Sequence, residues 1–436
     1  MYLLILSLCA ILAVFYLFLL LFLKCKMPFW SKQPVFHWYN LMYWLGGPPG
    51  LIDPSLPLIN KYVDLFNIKT FSLADYEPDT KQTNKNDINK TICEFIKANY
   101  IYASERDKTQ VDYSPSQENL LAYLLNSNHP SYFTVYQEPN LLFTEKEDLS
   151  STDIIAVIAA RPLYVRLNKK GFFGAKKTMF TTYYVDNLCV QPAYRKKGIA
   201  ATMIQTHYYN LRQQNKQINT CLFKREGELN AIVPLVAFKT YCLSIANILH
   251  NNNNNNDNDK HIATAQYSLI ESGANQLHLF IDFIKSQMSQ FNCVILPDVT
   301  NLAHLIKTNN LRIYCLVSKA SISKANVDIS KANNNIIAVY IFRLLELTYD
   351  TKKTCECIAT INATTMDLFQ YGFRQACTTL QEKNEIALLL VEETAHTKKL
   401  LTPQIKAQAQ FTSPTAFFFY NYACHSLKAQ ECLIVY

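Results

Sequence analysis

From Tyr2 to Leu23 the chain carries no charged residue, in the run "YLLILSLCAILAVFYLFLLLFL". A helix of roughly 20 apolar residues crosses the hydrocarbon core of a bilayer, so this run is either a membrane span or a secretory leader. A leader has a basic start, a shorter apolar core and small residues at a cleavage site. None is evident, and the expectation is one membrane anchor over residues 1–24, with a long signal sequence as the alternative. Lys24, Lys26 and Lys32 follow the run and nothing basic precedes it. The positive-inside rule then predicts a single-pass membrane protein with its soluble domains on the cytosolic face.

The 436 residues suffice for two or three domains, and 49% are hydrophobic, enough for a sizeable core. Lys+Arg number 42 against 34 Asp+Glu, an excess that is small and spread out. It gives no nucleic-acid signature, and no nucleic acid is expected as a partner. The 13 cysteines stand mostly alone in apolar runs, and the closest pair is Cys355 and Cys357. Without C-x-x-C or histidine spacing they predict reduced core thiols and no metal.

Hydrophobic periodicity divides the rest. "MPFWSKQPVFHWYNLMYWLGGPPGLIDP" reads as ordered loop, and "TICEFIKANYIY" as helix. "SPSQENLLAYLL" reads as a second helix with Ser114 as N-cap and Pro115 in its first turn. "DIIAVIAARPLYVRL" and "TMFTTYYVDNLCV" read as strands joined by a hairpin tip, "NKKGFFGAKK", with lysines about Phe172 and Phe173. A helix from Lys196 and the strands "NTCLF" and "IVPLVAFKTYCLSI" complete a first unit. "HNNNNNNDNDK" is a low-complexity break. Beyond it helix, strands, a long helix over "TTMDLFQYGFRQACTTLQEKN" and the closing strands "TAFFFYNY" and "ECLIVY" repeat the order. The expected fold class is α/β, two related units side by side behind the anchor.

One stretch carries chemistry. "NLCVQPAYRKKGIAATMI", Asn187 to Ile204, is an apolar strand that breaks at Gln191-Pro192, passes three cations and a glycine, and resumes as helix. The first N–H groups of a helix have no intrahelical partner and the dipole adds partial positive charge, so such a turn suits an anion. Gly198 lets the backbone come close to a phosphate. A basic turn of this kind can equally be a solvated surface. Arg195-Lys196-Lys197-Gly198-Ile199-Ala200 fits the pyrophosphate loop Q/R-x-x-G-x-G/A of GNAT-type acyltransferases.

Five motifs in one order then resemble the N-myristoyltransferase family, from about Met27 to Tyr436. "PFWSKQPV" resembles K-F-W-x-T-Q-P-V, "GPPGLIDP" is similar to G-P-I-E-P, and "VDYSPSQENLLAYLL" to D-Y-S-P-x-F-L-L-W-A-L. The Asn187–Ile204 stretch matches F-L-C-V-H-K-K-L-R-S-K-R-V-A-P-V-L-I at Leu188, Cys189, Val190, Arg195, Lys197, Ala200 and Ile204. "AFFFYNY…CLIVY" is similar to the closing Y-Y-L-Y-N-W…G-L-V-L-x.

The resemblance implies two tandem GNAT-like units. Their expected bounds are a CoA-facing segment over 25–90, an acyl-CoA-binding unit over 91–249, an Asn-rich linker or loop over 250–264, and a second unit over 265–436. It implies myristoyl-CoA as the acyl-CoA co-substrate, an N-terminal glycine peptide or protein as acceptor, and no metal. Phe29 and Trp30 would lie over CoA, and Leu188, Cys189, Val190, Arg195, Lys196, Lys197, Gly198, Ile199 and Ala200 would hold it. The backbone N–H groups of Asn187 and Leu188 would receive the oxyanion, and the terminal carboxylate of Tyr436 would take the amine's proton. Cys189 is a core residue rather than a nucleophile. Departures gather on the peptide side. "QFTSPT" stands for K-F-G-x-G-D-G, "NYIYASERD" for the acidic loop after N-Y-V, "KREG" for T-A-G and "FKTYCLS" for C-R-Y-W-H-R. A GNAT acetyltransferase and a non-catalytic membrane protein on the same fold are the competing readings.

Overall fold

The computed structural model describes residues 2–73, 83–100, 111–137, 154–171, 174–227, 232–250, 266–318 and 336–436. The apolar run forms α1 (Tyr2–Lys26), exposed along almost its whole length, with Leu23 buried at its base. At 1.5 Å per residue its 25 residues span about 37 Å. Among the described residues it is the one helix long and apolar enough to cross a membrane. After it come a 3-10 turn (Trp30–Lys32) and α2 (Leu41–Leu45).

The first part of the chain supplies β1 (Gly50–Leu51), β2 (Ile68–Ser72), α3 (Thr83–Asn99), β3 (Val111–Tyr113), α4 (Gln117–Ala122), β4 (Tyr132–Gln137) and β5 (Ile154–Gly171). It continues through β6 (Gly174–Val190), α5 (Ile199–Gln214), β7 (Cys221–Glu226), β8 (Val236–Ser244) and α6 (Ile245–His250). The second part supplies β9 (Tyr267–Glu271), β10 (Cys293–Leu296), β11 (Leu311–Ser318), β12 (Ile336–Tyr349), β13 (Lys352–Asn362) and β14 (Leu388–Glu392). β15 (Phe411–Tyr420), β16 (Tyr422–Ala423) and β17 (Cys432–Ile434) close it. Fifteen of these strands form one sheet, in the order β17-β10-β5-β6-β7-β15-β8-β14-β13-β12-β11-β9, with β4 also pairing β5, β2 pairing β4 and β3 pairing β12.

The repeat is visible in the connections. Parallel neighbours need a long crossover. β6 reaches its parallel neighbour β7 through α5, and β13 reaches β14 through the helix Met366–Asn384. The strands that follow then change places. β8 comes after β7 in sequence but pairs with β14, and β15 comes after β14 but pairs with β7. β8 and β15 are also antiparallel neighbours of each other, so the exchange joins both units into one sheet. β17 pairs with β10, which pairs with β5, and this brings the last residues beside the first unit.

Apolar faces close over this sheet. Phe280, Phe283 and Ile284 pack with Val435 and Tyr436 in the largest core cluster, while α3 and α4 cover a second around Cys189. Ten of the cysteines are buried and all are free thiols.

Local readings need correcting in three places. The N-cap of α4 is Ser116, whose hydroxyl accepts from the Asn119 amide at 3.2 Å, because Ser114 is drawn off by the Glu346 carbonyl. The lysines on either side of the hairpin tip are strand, since β5 and β6 pair as far as Gly171 and Gly174; Phe172 and Phe173 lie outside the described residues. β2, β3, β4, β9, β10, β13 and the helix Val299–Lys307 went unread, and the stretch read as ordered loop holds α2 and β1. The Asn-rich stretch beyond His250 also lies outside the described residues.

Candidate functional site

The site begins where two parallel strands part. β6 and β7 pair only at Tyr183–Cys221, Tyr184–Leu222 and Val185–Phe223. β6 continues to Val190 and β7 to Glu226, and among the described residues no strand pairs with Asp186–Val190 on that side. An open backbone edge of this kind accepts an extended ligand as a short added strand.

The same stretch bulges on its other edge. Its register with β5 shifts between Val157 and Ala159, which leaves Asn187 and Leu188 outside the ladder. Such an extra residue bends a strand and re-aims its groups. Asn187 has φ of 54° and donates its amide to Asp186 Oδ1 at 2.8 Å. The Leu188 side chain is exposed, Cys189 is buried, and Val190 is half-buried beside Met203. Burial pushes the Cys189 thiol up to about 12, which makes it inert.

The loop after β6 turns into α5 at Gly198, whose φ of 84° suits a residue without Cβ. Lys196 also has positive φ, at 63°. No side chain caps α5. Lys196, Lys197, Gly198 and Ala200 are exposed and Ile199 is half-buried, so the start of α5 is open to solvent, and the Lys197 ammonium lies 5.0 Å from the centre of the Tyr194 ring. Arg195 is placed differently from its neighbours. Its Nε donates to the Val190 carbonyl at 2.9 Å and its Nη2 to the Asn99 carbonyl at 2.7 Å. It ties the loop to the end of β6 and to α3.

Phe29 is buried, with Trp30 edge-on at 5.1 Å and Tyr62 at 5.2 Å. Trp30 stacks on Phe223, the last β7 residue before the strands part, at 5.9 Å. Beside them a cleft of about 480 Å³ runs between Lys32–Pro34, Lys61, Tyr62 and the α5 residues Gln205 and Tyr208. Gln205 Oε1 is buried in it with no hydrogen-bond partner.

Tyr436 is fully buried. Its hydroxyl donates to Glu392 at 2.5 Å and accepts from Lys224 Nζ at 2.8 Å. Lys224 also pairs with Glu392 at 2.8 Å and lies 3.9 Å from Glu356. Arg343 pairs with Glu356 at 2.6 Å, and its guanidinium lies 4.3 Å from the centre of the Tyr436 ring. Burial opposes the Lys224 charge, but Glu392, Tyr436, Glu356 and Glu226 outweigh it and hold the ammonium well above its ordinary range. Burial likewise lifts the Glu392 carboxyl, against the pull of Lys224.

A partly enclosed cavity of about 30 Å³ joins this network to the bulge. Asn187, Asp186 and Tyr184 line it from β6, Arg161 from β5, Arg343 from β12 and Tyr123 from the end of α4. Arg161 Nη1 and the Tyr123 hydroxyl are buried there without a partner. The space is large enough for about two waters and too small for an acceptor side chain.

The sequence reading thus places Asn187, Leu188, Cys189 and Val190 at the opening, Lys196–Ala200 at the adjoining helix end, and Phe29 and Trp30 against its other lip. It missed Lys224, Arg161, Arg343, Glu356 and Glu392. For Arg161 and Arg343 a signal was present, a charge inside an apolar run as in "IIAVIAARPLYV" and "VYIFRLLEL"; Lys224, Glu356 and Glu392 have other charges close by in sequence and gave none. A charge in such a run is buried and must be paired.

No family model and no curated protein matches the sequence. Solved structures match its fold. One Saccharomyces cerevisiae N-myristoyltransferase with bound myristoyl-CoA is 12% identical, covering 92% of this chain and 94% of that one at a TM-score of 0.60. Another, with bound myristoyl-CoA and inhibitors, is 14% identical, covering 95% of each chain at 0.61. The fold is therefore that of the N-acyltransferases. More narrowly, it is a divergent N-myristoyltransferase fold carried over nearly the whole chain.

Proposed function

We propose that this chain is a membrane-anchored N-acyltransferase that moves a myristoyl or similar long acyl group from acyl-CoA to the N-terminal glycine amine of a protein. The observation that carries the reading is the parting of β6 from β7 at Val185–Phe223, directly before a cationic helix start. A CoA thioester needs both an anion site for its phosphates and an open strand edge for its amide-bearing arm.

In this reading the first unit, 91–249, holds acyl-CoA. The amides of Ile199 and Ala200, with Lys196 and Lys197, take the phosphates, and Phe29 and Trp30 flank the CoA body. Arg195 shapes the loop, because its guanidinium is already spent on backbone carbonyls. The thioester carbonyl comes to the bulge, where the Leu188 amide supports the oxyanion. The Asn187 amide joins it once the Asp186 side chain turns away. The second unit, 265–436, bears the acceptor. An α-amino group has a pKa of about 7.7–8.0, and the buried cations Arg161, Arg343 and Lys224 favour its neutral form. The terminal carboxylate of Tyr436 takes the proton released on attack. With Lys24, Lys26 and Lys32 following α1, the soluble units face the cytosol.

The Asp186–Asn187 bond and the small size of the cavity beside it favour a second reading, a non-catalytic protein on the same fold. One experiment separates them. The full chain in nanodiscs is titrated with myristoyl-CoA, acetyl-CoA and CoA, then assayed for thiol release with glycine-starting peptides. Preference for the long chain and peptide-dependent release support the transferase. Equal binding of acetyl-CoA points to an acetyltransferase, and no binding of any of the three sinks both enzyme readings and leaves the non-catalytic one. Adding residues after Tyr436 abolishes release if its carboxylate is the base.

A further inference from the structure

The segment after α1 is unusual for a soluble surface. Residues 33–52 carry no Asp, Glu, Lys or Arg, and no acid occurs before Asp53. Within it Trp38 is 47% exposed, Leu41 48%, Met42 77% and Leu45 84%. With Trp44, 46% exposed, they fall within eight residues, and Leu41, Met42, Trp44 and Leu45 all lie on α2. An exposed apolar patch of this sort marks an interaction surface.

The occupant follows from a contact with α1. The Tyr16 hydroxyl donates to the Tyr39 carbonyl at 2.9 Å. Tyr16 lies eight residues before Lys24, about 12 Å along the helix axis. Helical side chains lean towards the N-terminus, so Tyr16 does not reach back towards the lysines. If Lys24 and Lys26 sit among headgroups, Tyr39 and its neighbours lie inside the plane they define.

Backbone at that depth must satisfy itself, and four amides of this segment bond carbonyls of the same segment, although both His37 ring nitrogens are buried without a hydrogen-bond partner. The Asn40 amide bonds the His37 carbonyl, Leu41 bonds Tyr39, Tyr43 bonds Asn40 and Gly46 bonds Met42. The Trp44 indole N–H donates to the Trp38 carbonyl at 2.8 Å although its ring is about half exposed. His37 is buried and stacked on Tyr39, and burial lowers its pKa to about 4, so it brings no charge.

We infer that residues 37–46, α2 with its flanks, form a second membrane contact that lies against α1 in the lipid interface. The partner is the bilayer itself. Its apolar side chains enter the acyl boundary by roughly 5–10 Å, as interfacial helices do. Two points of attachment, α1 and α2, would fix how the soluble units tilt on the membrane, where a lone span would leave them free to swing. The inference rests on α1 being a span and is independent of acyl transfer.

The test uses the full chain in phosphatidylcholine vesicles. Retention after an alkaline carbonate wash reports the span. Tryptophan emission in vesicles with brominated acyl chains reports the seat. The expected results are retention, quenching of the wild type by brominated lipid, and loss of most of that quenching in Trp38→Phe/Trp44→Phe, which keeps only Trp30. Met42→Glu/Leu45→Glu, at two exposed positions, should shift the emission to the red with the fold intact. Retention with Trp38 and Trp44 quenched by aqueous iodide and not by lipid overturns the seat and leaves the span. A chain that washes off overturns both.

Discussion

Replacing Lys224 by methionine tests the buried ion network most directly. Two carboxylates depend on that ammonium unequally. Glu356 keeps Arg343 at 2.6 Å, whereas Glu392, 1% exposed, has Lys224 as its one cationic partner among the described residues. Glu392 Oε2 already lacks a hydrogen bond. Lys224→Met therefore strands one buried carboxylate, and breaking a buried pair in this way costs about 3–5 kcal/mol. For a chain of this length that lowers the melting temperature by about 3–6 °C. Thermal unfolding by circular dichroism in detergent gives the number. The cost has a pH signature. Burial already raises the Glu392 carboxyl, and without Lys224 it rises further. The folded form then takes up a proton that the unfolded form does not, so the deficit of the variant shrinks as pH falls. In a double-mutant cycle, Lys224→Met/Glu392→Gln should recover most of the loss. A single variant within about 1 kcal/mol of the wild type at pH 7, or a double variant losing the sum of both singles, would refute the network as described.

Two further outcomes follow from buried positions. A methyl at Gly372, on the helix Met366–Asn384, runs into the Tyr340 hydroxyl, which is held on the Phe369 carbonyl at 2.6 Å. Gly372→Ala should cost about 1–3 kcal/mol in chemical denaturation, despite alanine's better helix propensity. His207 is buried in α5 with Nδ1 on Thr134 at 2.7 Å, and desolvation lowers its pKa from 6.5 to about 3. Because the folded value is depressed, stability is complete above pH 6.5 and falls as pH drops towards 3; at pH 5 the loss is about 2 kcal/mol. His207→Gln should flatten that share of the acid profile, and an unchanged profile would count against the assignment.

Much of the fold could be read from the sequence because it is written locally. α1 shows in its hydropathy, α5 and the helix Met366–Asn384 in their period, and β5, β6 and β12 in long apolar runs. β13 was hidden because Lys352, Lys353 and Glu356 interrupt "KKTCECIATIN", and only the fold shows that Glu356 is neutralised by Arg343. The exchange of β8 and β15 is a long-range choice that no local pattern encodes. The site divides the same way. The helix start at Gly198 is local and was found, while Arg195's partners lie on other elements, so its inward turn was not. The cluster about Tyr436 draws one charged residue from each of β7, β12, β13 and β14, and no local pattern shows that these four meet.

The exchanged strands also set a timetable for synthesis. β7 leaves the ribosome with one edge waiting for β15, which is nearly 190 residues further on. Until β15 arrives, the aromatic edge about Phe223 is an unpaired strand, the kind of surface that invites wrong partners. If α1 has by then been delivered to a bilayer, the half-made chain waits tethered and locally concentrated among its own copies. Heavy synthesis would then favour mispairing between neighbours, with β15 of one chain closing the first unit of another.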